Sequence, residues 1–243
     1  MLRQGCIRAV GVAVLWSSAS RSVHITSAQQ NLTRVIVKQP FYLSAAFLLK
    51  KAIWRIKMAT PPYNHVTQVG DPVLRGKSDP VHPQDIRTKE FQDLIQKMVG
   101  VMRKTGGVGL AAPQIGVAQQ VFVMEFTEKH MKGFSEEIQK AREMEVVPLK
   151  VFVNPSLKIL SDNQVVLTEG CLSLTGFSAA TPRAHEVEIT GLNEKGEPVT
   201  WRVCGYPARI LQHEYDHLQG TLYIDRMDTR TFADLQWPQW NEK

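Results

Sequence analysis

The chain has 243 residues, 43% hydrophobic and 21% charged, with 13 Pro, 16 Gly and 3 Cys. Such a composition excludes a collagenous, low-complexity or wholly disordered chain, and cysteines scattered at positions 6, 171 and 204 exclude a disulfide scaffold. The formal net charge of +6 would suit a nucleic-acid partner only if the positive charge belonged to the folded part.

It does not. Residues 1–70 hold nine Lys and Arg before the first acidic residue, Asp71, and the remainder carries 20 basic against 23 acidic residues. The folded part is therefore slightly acidic, and no specific nucleic-acid partner is expected. The basic stretch is acid-free, contains Arg and Ser, and spaces Leu2, Cys6, Ile7, Val10 and Val14 for an amphipathic helix, the composition of an organelle transit peptide. The expected organisation is a transit peptide and basic linker over residues 1–60, a folded domain over residues 61–243, and a mitochondrial (matrix) address. A secretory reading of residues 10–16 is disfavoured by their shortness and by the long basic stretch that follows. Residues 41–56 are apolar but broken by Lys50, Lys51 and Arg55, so no transmembrane anchor is expected, although contact with a membrane surface stays open.

Taken in chain order, Phe91, Leu94, Ile95, Met98 and Met102 recur at helical spacing, predicting an amphipathic helix over residues 85–104. A Gly-rich loop follows over residues 106–116, then an apolar strand over 121–124. Residues 128–145 are charge-rich and read as a solvated, partly helical insertion without evident chemistry. From Val151 the pattern turns to short β runs: VFVNP, LKIL, VVL, then HEVEIT joined to PVTWRV through turn residues 193–196. Pro207 and Gly220 bracket a further helix, ARILQHEYDHLQ. The predicted fold class is α+β, with small antiparallel β-sheets packed around a long central helix carrying HExxH.

That helix contains His213-Glu214-Tyr215-Asp216-His217. Residues four apart share a helix face, so both imidazoles can bind one metal, and Glu214 can reach a water there as general base. A third protein ligand is needed. A metzincin would place His at position 223, which is Tyr, and the only Glu after position 217 is Glu242, near the chain end. The ligand must come from upstream, and Cys171 in EGCLS is the best candidate, with Gly170 letting the backbone approach. Cys204 reads as an inert buried side chain, and Cys6 falls in the leader.

The loop residues Gly107 to Ala112 satisfy G-x-G-x-x-A, and Glu125 lies where a ribose-binding acid would stand. The Rossmann fingerprint must follow a strand and open a helix, whereas this loop follows a helix and runs into Pro113 and Gly116. The glycines instead leave bare backbone against which an extended peptide can add as a strand, and Gln114 offers an amide to a substrate oxygen.

Together, GVGLAAPQIG, EGCLS and QHEYDHLQG closely resemble the three signature motifs of the peptide deformylases, and the flanking QVGDPVLRG and VFVNP resemble that family too. The leader resembles that of a mitochondrial member. The resemblance implies that Cys171, His213 and His217 bind one divalent metal ion, iron(II) in many members and zinc or cobalt in others. It implies that Glu214 is the catalytic acid/base, that Gln114 and the N–H of Leu172 stabilise the oxyanion, and that the main chain at Val108, Gly109 and Gly170 aligns the substrate. The implied reaction is removal of the formyl group from N-formylmethionyl peptides, ribosome-proximal, by an enzyme that could be a homodimer. Arg209, one turn before His213, would narrow or polarise the methionine pocket or else snorkel to solvent. Asp216 would orient a ligand or pair with an Arg, the first being preferred. The competing expectations are a zinc peptidase of the HExxH class, cutting internal amides, and a non-catalytic metal-stabilised binding domain.

Overall fold

The computed structural model describes residues 60–242, so the transit-peptide reading of the residues before 60 lies outside the described residues. Among the described residues no helix is long and apolar enough to cross a membrane. The folded domain already engages its own motifs at the start: the N–H of Tyr63 donates to Ile115 O and that of Thr67 to Gln114 O, at 2.9 and 2.8 Å.

The architecture is α+β with two antiparallel sheets. Strands β1 (Gly109–Ala111), β2 (Val121–Phe126), β3 (Val147–Ile159), β6 (Glu186–Leu192) and β7 (Pro198–Cys204) form a five-stranded sheet in the order β1-β2-β3-β6-β7. Strands β4 (Gln164–Cys171), β5 (Leu174–Ala184) and β8 (Ala233–Asp234) form a second sheet in that order. The helices are α1 (Lys89–Lys104), α2 (Glu128–Met131), α3 (Glu136–Ala141), α4 (Gly205–Leu218) and α5 (Trp237–Asn241).

Alternation along β2 explains how the core divides. Val121 and Val123 pack with Leu94, Met98 and Met102 of α1, while Phe122, Met124 and Phe126 pack with Ile210, Leu211 and Leu218 of α4. Successive strand side chains point to opposite faces, so a strand covered by a helix on each side reads as a continuous apolar run. Met98 and Met102 are fully buried, and truncating either to Ala would cost about 2–5 kcal/mol.

Several boundaries differ from the sequence reading. Helix α1 begins at Lys89 rather than 85, because Thr88 caps it, its Oγ1 accepting from Phe91 N at 3.4 Å, and residues 83–85 form a 3-10 turn. The runs VFVNP and LKIL are one 13-residue strand, bent where Asn154 takes φ 49° and its side chain bonds both Val81 N and O at 2.7 Å. The insertion holds the short helices α2 and α3. Helix α4 has 14 residues, fewer than the 16 of α1, starts at Gly205 and ends before Gly220 at φ 73°.

Candidate active site

Helix α4 lies against the five-stranded sheet and also meets β5 of the smaller sheet. Its inward turn presents His213 and His217, whose rings stand edge to face with centroids 5.0 Å apart. Strand β4 delivers Cys171 at its end, where the register with β5 shifts between Gly170 and Cys171 and residues 175–177 of β5 have no partner on β4. Cys171 Sγ stands 3.3 Å from His217 Nε2, and one ligand atom from each of Cys171, His213 and His217 lies within 4.8 Å of the others.

These residues fit a divalent ion. Two ligands about 2.0–2.3 Å from one tetrahedral ion stand roughly 3.5 Å apart, close to the Cys171–His217 separation. His213 Nδ1 is 3.1 Å from Glu169 Oε2, which leaves Nε2 for a ligand bond. Burial alone would raise the Cys171 thiol, but the two imidazoles outweigh it and hold the group well below its ordinary range. The His213 imidazole is held well above its usual value: burial opposes this, and hydrogen bonds to Cys171 and Glu169 prevail. Thiolate and imidazole are the donors that zinc-type ions select.

Glu214 is buried, and its Oε2 has no hydrogen-bond partner. Burial pushes its carboxyl up to about 7, against the pull of both histidines. The loop glycine beside it is explained by the same group: a Cβ on Gly109 would fall onto the Glu214 carboxylate. Gly107 likewise makes room for Leu172, whose Cδ1 would stand 2.7 Å from an added Cβ. The G-x-G-x-x-A pattern is thus a packing requirement of the site, and Glu125, the supposed ribose acid, is paired with Arg103 through two bonds of 2.8 Å.

Gln114, 1% exposed, sits in a 3-10 turn (Ala112–Ile115) that the sequence reading did not foresee. Ala111 N donates to its Oε1 at 2.8 Å, which turns Nε2 toward Ser173 Oγ at 3.3 Å and Cys171 Sγ at 3.7 Å. The amide therefore presents a donor to the cluster.

A cavity of about 390 Å³ opens over this arrangement. Val108, Gly109, Gln114, Gly170, Cys171 and Leu172 line it, together with Arg209, His213 and Glu214, while His217 and Asp216 do not. Two strands end their sheets here, β1 carrying Gly109 and β4 carrying Gly170.

The structure separates the alternatives at Arg209, which lines the cavity, and at Asp216. Arg209 does not snorkel; it is 5% exposed, and its guanidinium donates to Glu169 Oε1 at 2.6 Å, Thr181 O at 2.9 Å and Val165 O at 2.5 Å. Asp216 bonds neither His213 nor His217. It pairs with Arg183 at 2.5 Å and with Arg226 at 2.7 and 2.8 Å, while Glu169 bonds the Nδ1 of His213 and the buried Nδ1 of His217 has no partner.

Glu169 is the residue that sequence reasoning missed. Arg183 grips its carboxylate with bonds of 2.9 and 3.0 Å, and burial would raise its pKa, but His213 and Arg183 hold it well below the carboxylate range. Its signal was its place two residues before Cys171, the spacing that puts strand side chains on one face. Tyr223, considered only as a failed third His, is fully buried beside His213 at 6.4 Å with its hydroxyl unpartnered, and burial pushes it up to about 12. Cys204, read as buried, is exposed.

The chain resembles known proteins along most of this domain. The profile of the polypeptide deformylase family matches residues 63–233. The human mitochondrial peptide deformylase is 46% identical over 200 residues, covering 80% of this chain and 82% of that protein. The chloroplastic/mitochondrial peptide deformylase 1A of Arabidopsis thaliana is 39% identical over 93% of this chain and 85% of its own length. Among solved structures, peptide deformylase 1B of Arabidopsis thaliana in complex with an inhibitor aligns with a TM-score of 0.57 at 35% identity, over 69% of this chain and 83% of that one. A peptide deformylase from Acinetobacter baumannii, bound to Met-Ala-Ser, aligns with a TM-score of 0.59 at 29% identity, over 67% of this chain and 96% of that one. With these motifs on one cavity and this likeness over most of the domain, the chain belongs to the peptide deformylase family of enzymes.

Proposed function

We propose that this enzyme hydrolyses the formyl amide of N-formylmethionyl peptides, releasing formate and a free amino terminus. The observation that carries the reading is Glu214: a buried carboxyl with an unpartnered oxygen, beside a Cys/His/His cluster, on a cavity where two sheets end. A divalent ion held by Cys171, His213 and His217, iron(II) being our first choice and zinc or cobalt the others, would supply Lewis acidity and bring the pKa of a water toward neutrality.

The chain's own residues account for the rest. Glu214 takes the proton of the attacking water as its oxygen bonds to the formyl carbon. Gln114 Nε2 and the Leu172 N–H donate to the carbonyl oxygen as it becomes negative. When the C–N bond breaks, Glu214 returns the proton to the departing nitrogen. An extended peptide lies between β1 and β4, its backbone aligned by Val108, Gly109 and Gly170. Val108, Tyr206 and Ile210 offer apolar lining to an unbranched thioether side chain. In this reading α4 is the central element around which the sheets are packed, and residues 1–60 are an address for the mitochondrial matrix. That address matches the mitochondrial naming of the human relative.

The test is a substrate comparison on metal-loaded protein. Formate should appear from a formyl-Met peptide, and the same peptide with an acetyl cap should be left uncut internally. Cleavage of internal bonds would favour a zinc peptidase, and absence of turnover on both would favour a non-catalytic metal-stabilised domain.

A further inference from the structure

A second group of side chains of metal-ligating type stands at the other end of α4. Glu143 follows α3, His185 sits between β5 and β6, and Cys204 ends β7 and precedes α4. One ligand atom from each lies within 4.8 Å of the others. His185 Nε2 is 3.0 Å from both oxygens of Glu143.

The backbone is shaped to bring these three segments together. Gly205 N donates to His185 O, and Tyr206 N to Arg142 O, each at 3.0 Å. Glu143 holds φ 50°, a conformation uncommon outside glycine. Gly205 holds φ 66°, and a Cβ there would stand 2.5 Å from that of Glu143. The close approach of the Glu143 and Cys204 segments thus depends on a residue without a side chain.

We propose that Glu143, His185 and Cys204 form a second divalent-metal site, one that takes a zinc-type ion and ties the charge-rich insertion and the β5–β6 turn to the start of α4. Sulfur, imidazole nitrogen and carboxylate oxygen are the donors that such ions accept, whereas calcium and magnesium favour oxygen alone. Three protein ligands leave one tetrahedral position for water. Carboxylates gather here: burial and then Glu143, Glu186 and Glu145 raise the Cys204 thiol above its ordinary range, Glu186 being also paired with Arg202 at 2.6 Å. Those same carboxylates attract a cation, whose binding displaces the thiol proton. The side chains of His185 and Glu143 are 27% and 50% exposed, so an ion can enter from solvent.

Anaerobic titration of the full chain with Co2+ tests the site, read by metal content and by the thiolate-to-cobalt charge-transfer absorption. The wild type should bind two equivalents with the absorption of two cobalt–thiolate bonds. Cys204→Ser should bind one equivalent, with absorption about halved. Cys171→Ala should also retain one equivalent, at Cys204. Glu143→Gln and His185→Gln should lose or weaken the second equivalent by about tenfold or more, and formate release by Cys204→Ser should equal that of the wild type. One equivalent in the wild type, or two in Cys204→Ser, would overturn the proposal.

Discussion

Two clusters in this domain draw on the same side-chain types and differ in what encloses them. Cys171 and His213 line a cavity with His217 behind them, Glu214 is buried beside them, and Glu169 fixes the outer nitrogen of His213. Cys204, His185 and Glu143 lie at the surface and partly satisfy one another, His185 bonding Glu143 directly. Enclosure makes the difference between a site built for chemistry and one suited to holding an ion. In the first, charge is forced onto chosen atoms by a buried lattice in which Glu169 is shared by Arg183, Arg209 and His213. In the second, water reaches every member, and electrostatic effects are screened.

Breaking the enclosed cluster should produce the largest effects. Glu214→Ala should lower kcat for formate release by about 100- to 10,000-fold while metal content stays at the wild-type level, which separates proton transfer from metal binding. Gln114→Ala should lower kcat by about 100- to 1000-fold with a smaller change in KM, since its donor acts mainly on developing charge. Glu169→Gln should weaken the metal by about 10- to 100-fold. It should also destabilise the fold by about 3–5 kcal/mol, because Arg209 would remain buried with only neutral partners while Arg183 would keep Asp216 alone; metal competition and denaturant unfolding would read the two effects separately. The smallest effect should come from the exposed cluster. Cys204→Ser should leave kcat within about twofold of the wild type, and a measured loss like that of Glu214→Ala would show that the two clusters are not independent.

Which parts were legible in the sequence follows the same division between apolar burial and polar burial. Helix α1 could be read because Phe91, Leu94, Ile95, Met98 and Met102 repeat with the helical period and all are buried. Strand β5 could not, because its buried positions include Ser178, Thr181 and Arg183, which hydrophobicity does not mark. The grouping of Cys171, His213 and His217, which the structure brings together, was expected from local spacing, with two histidines on one helix turn and a Cys upstream. The partners of that set were not, since Glu169, Arg183 and Arg209 are separated in sequence and meet only once β4, β5 and α4 are packed. Arg209 illustrates the limit: position on the helix placed it beside the ligands, but neither its buried state nor its bond to Glu169 follows from spacing. Asp216 is a related case, since its partners Arg183 and Arg226 come from other elements and spacing on the helix does not reveal them. Glu143, His185 and Cys204 come from three segments with no shared motif, and only the approach around Gly205 joins them.

The central claim is that Glu214, beside a metal held by Cys171, His213 and His217, removes a formyl group. Its most direct test is formate release from a formyl-Met peptide by wild-type protein and Glu214→Gln, both loaded anaerobically with iron(II) and assayed for metal. Stoichiometric formate from the wild type and nearly none from a variant with equal metal content is the predicted result. Equal formate release from both proteins, or none from a fully loaded wild type, would contradict it.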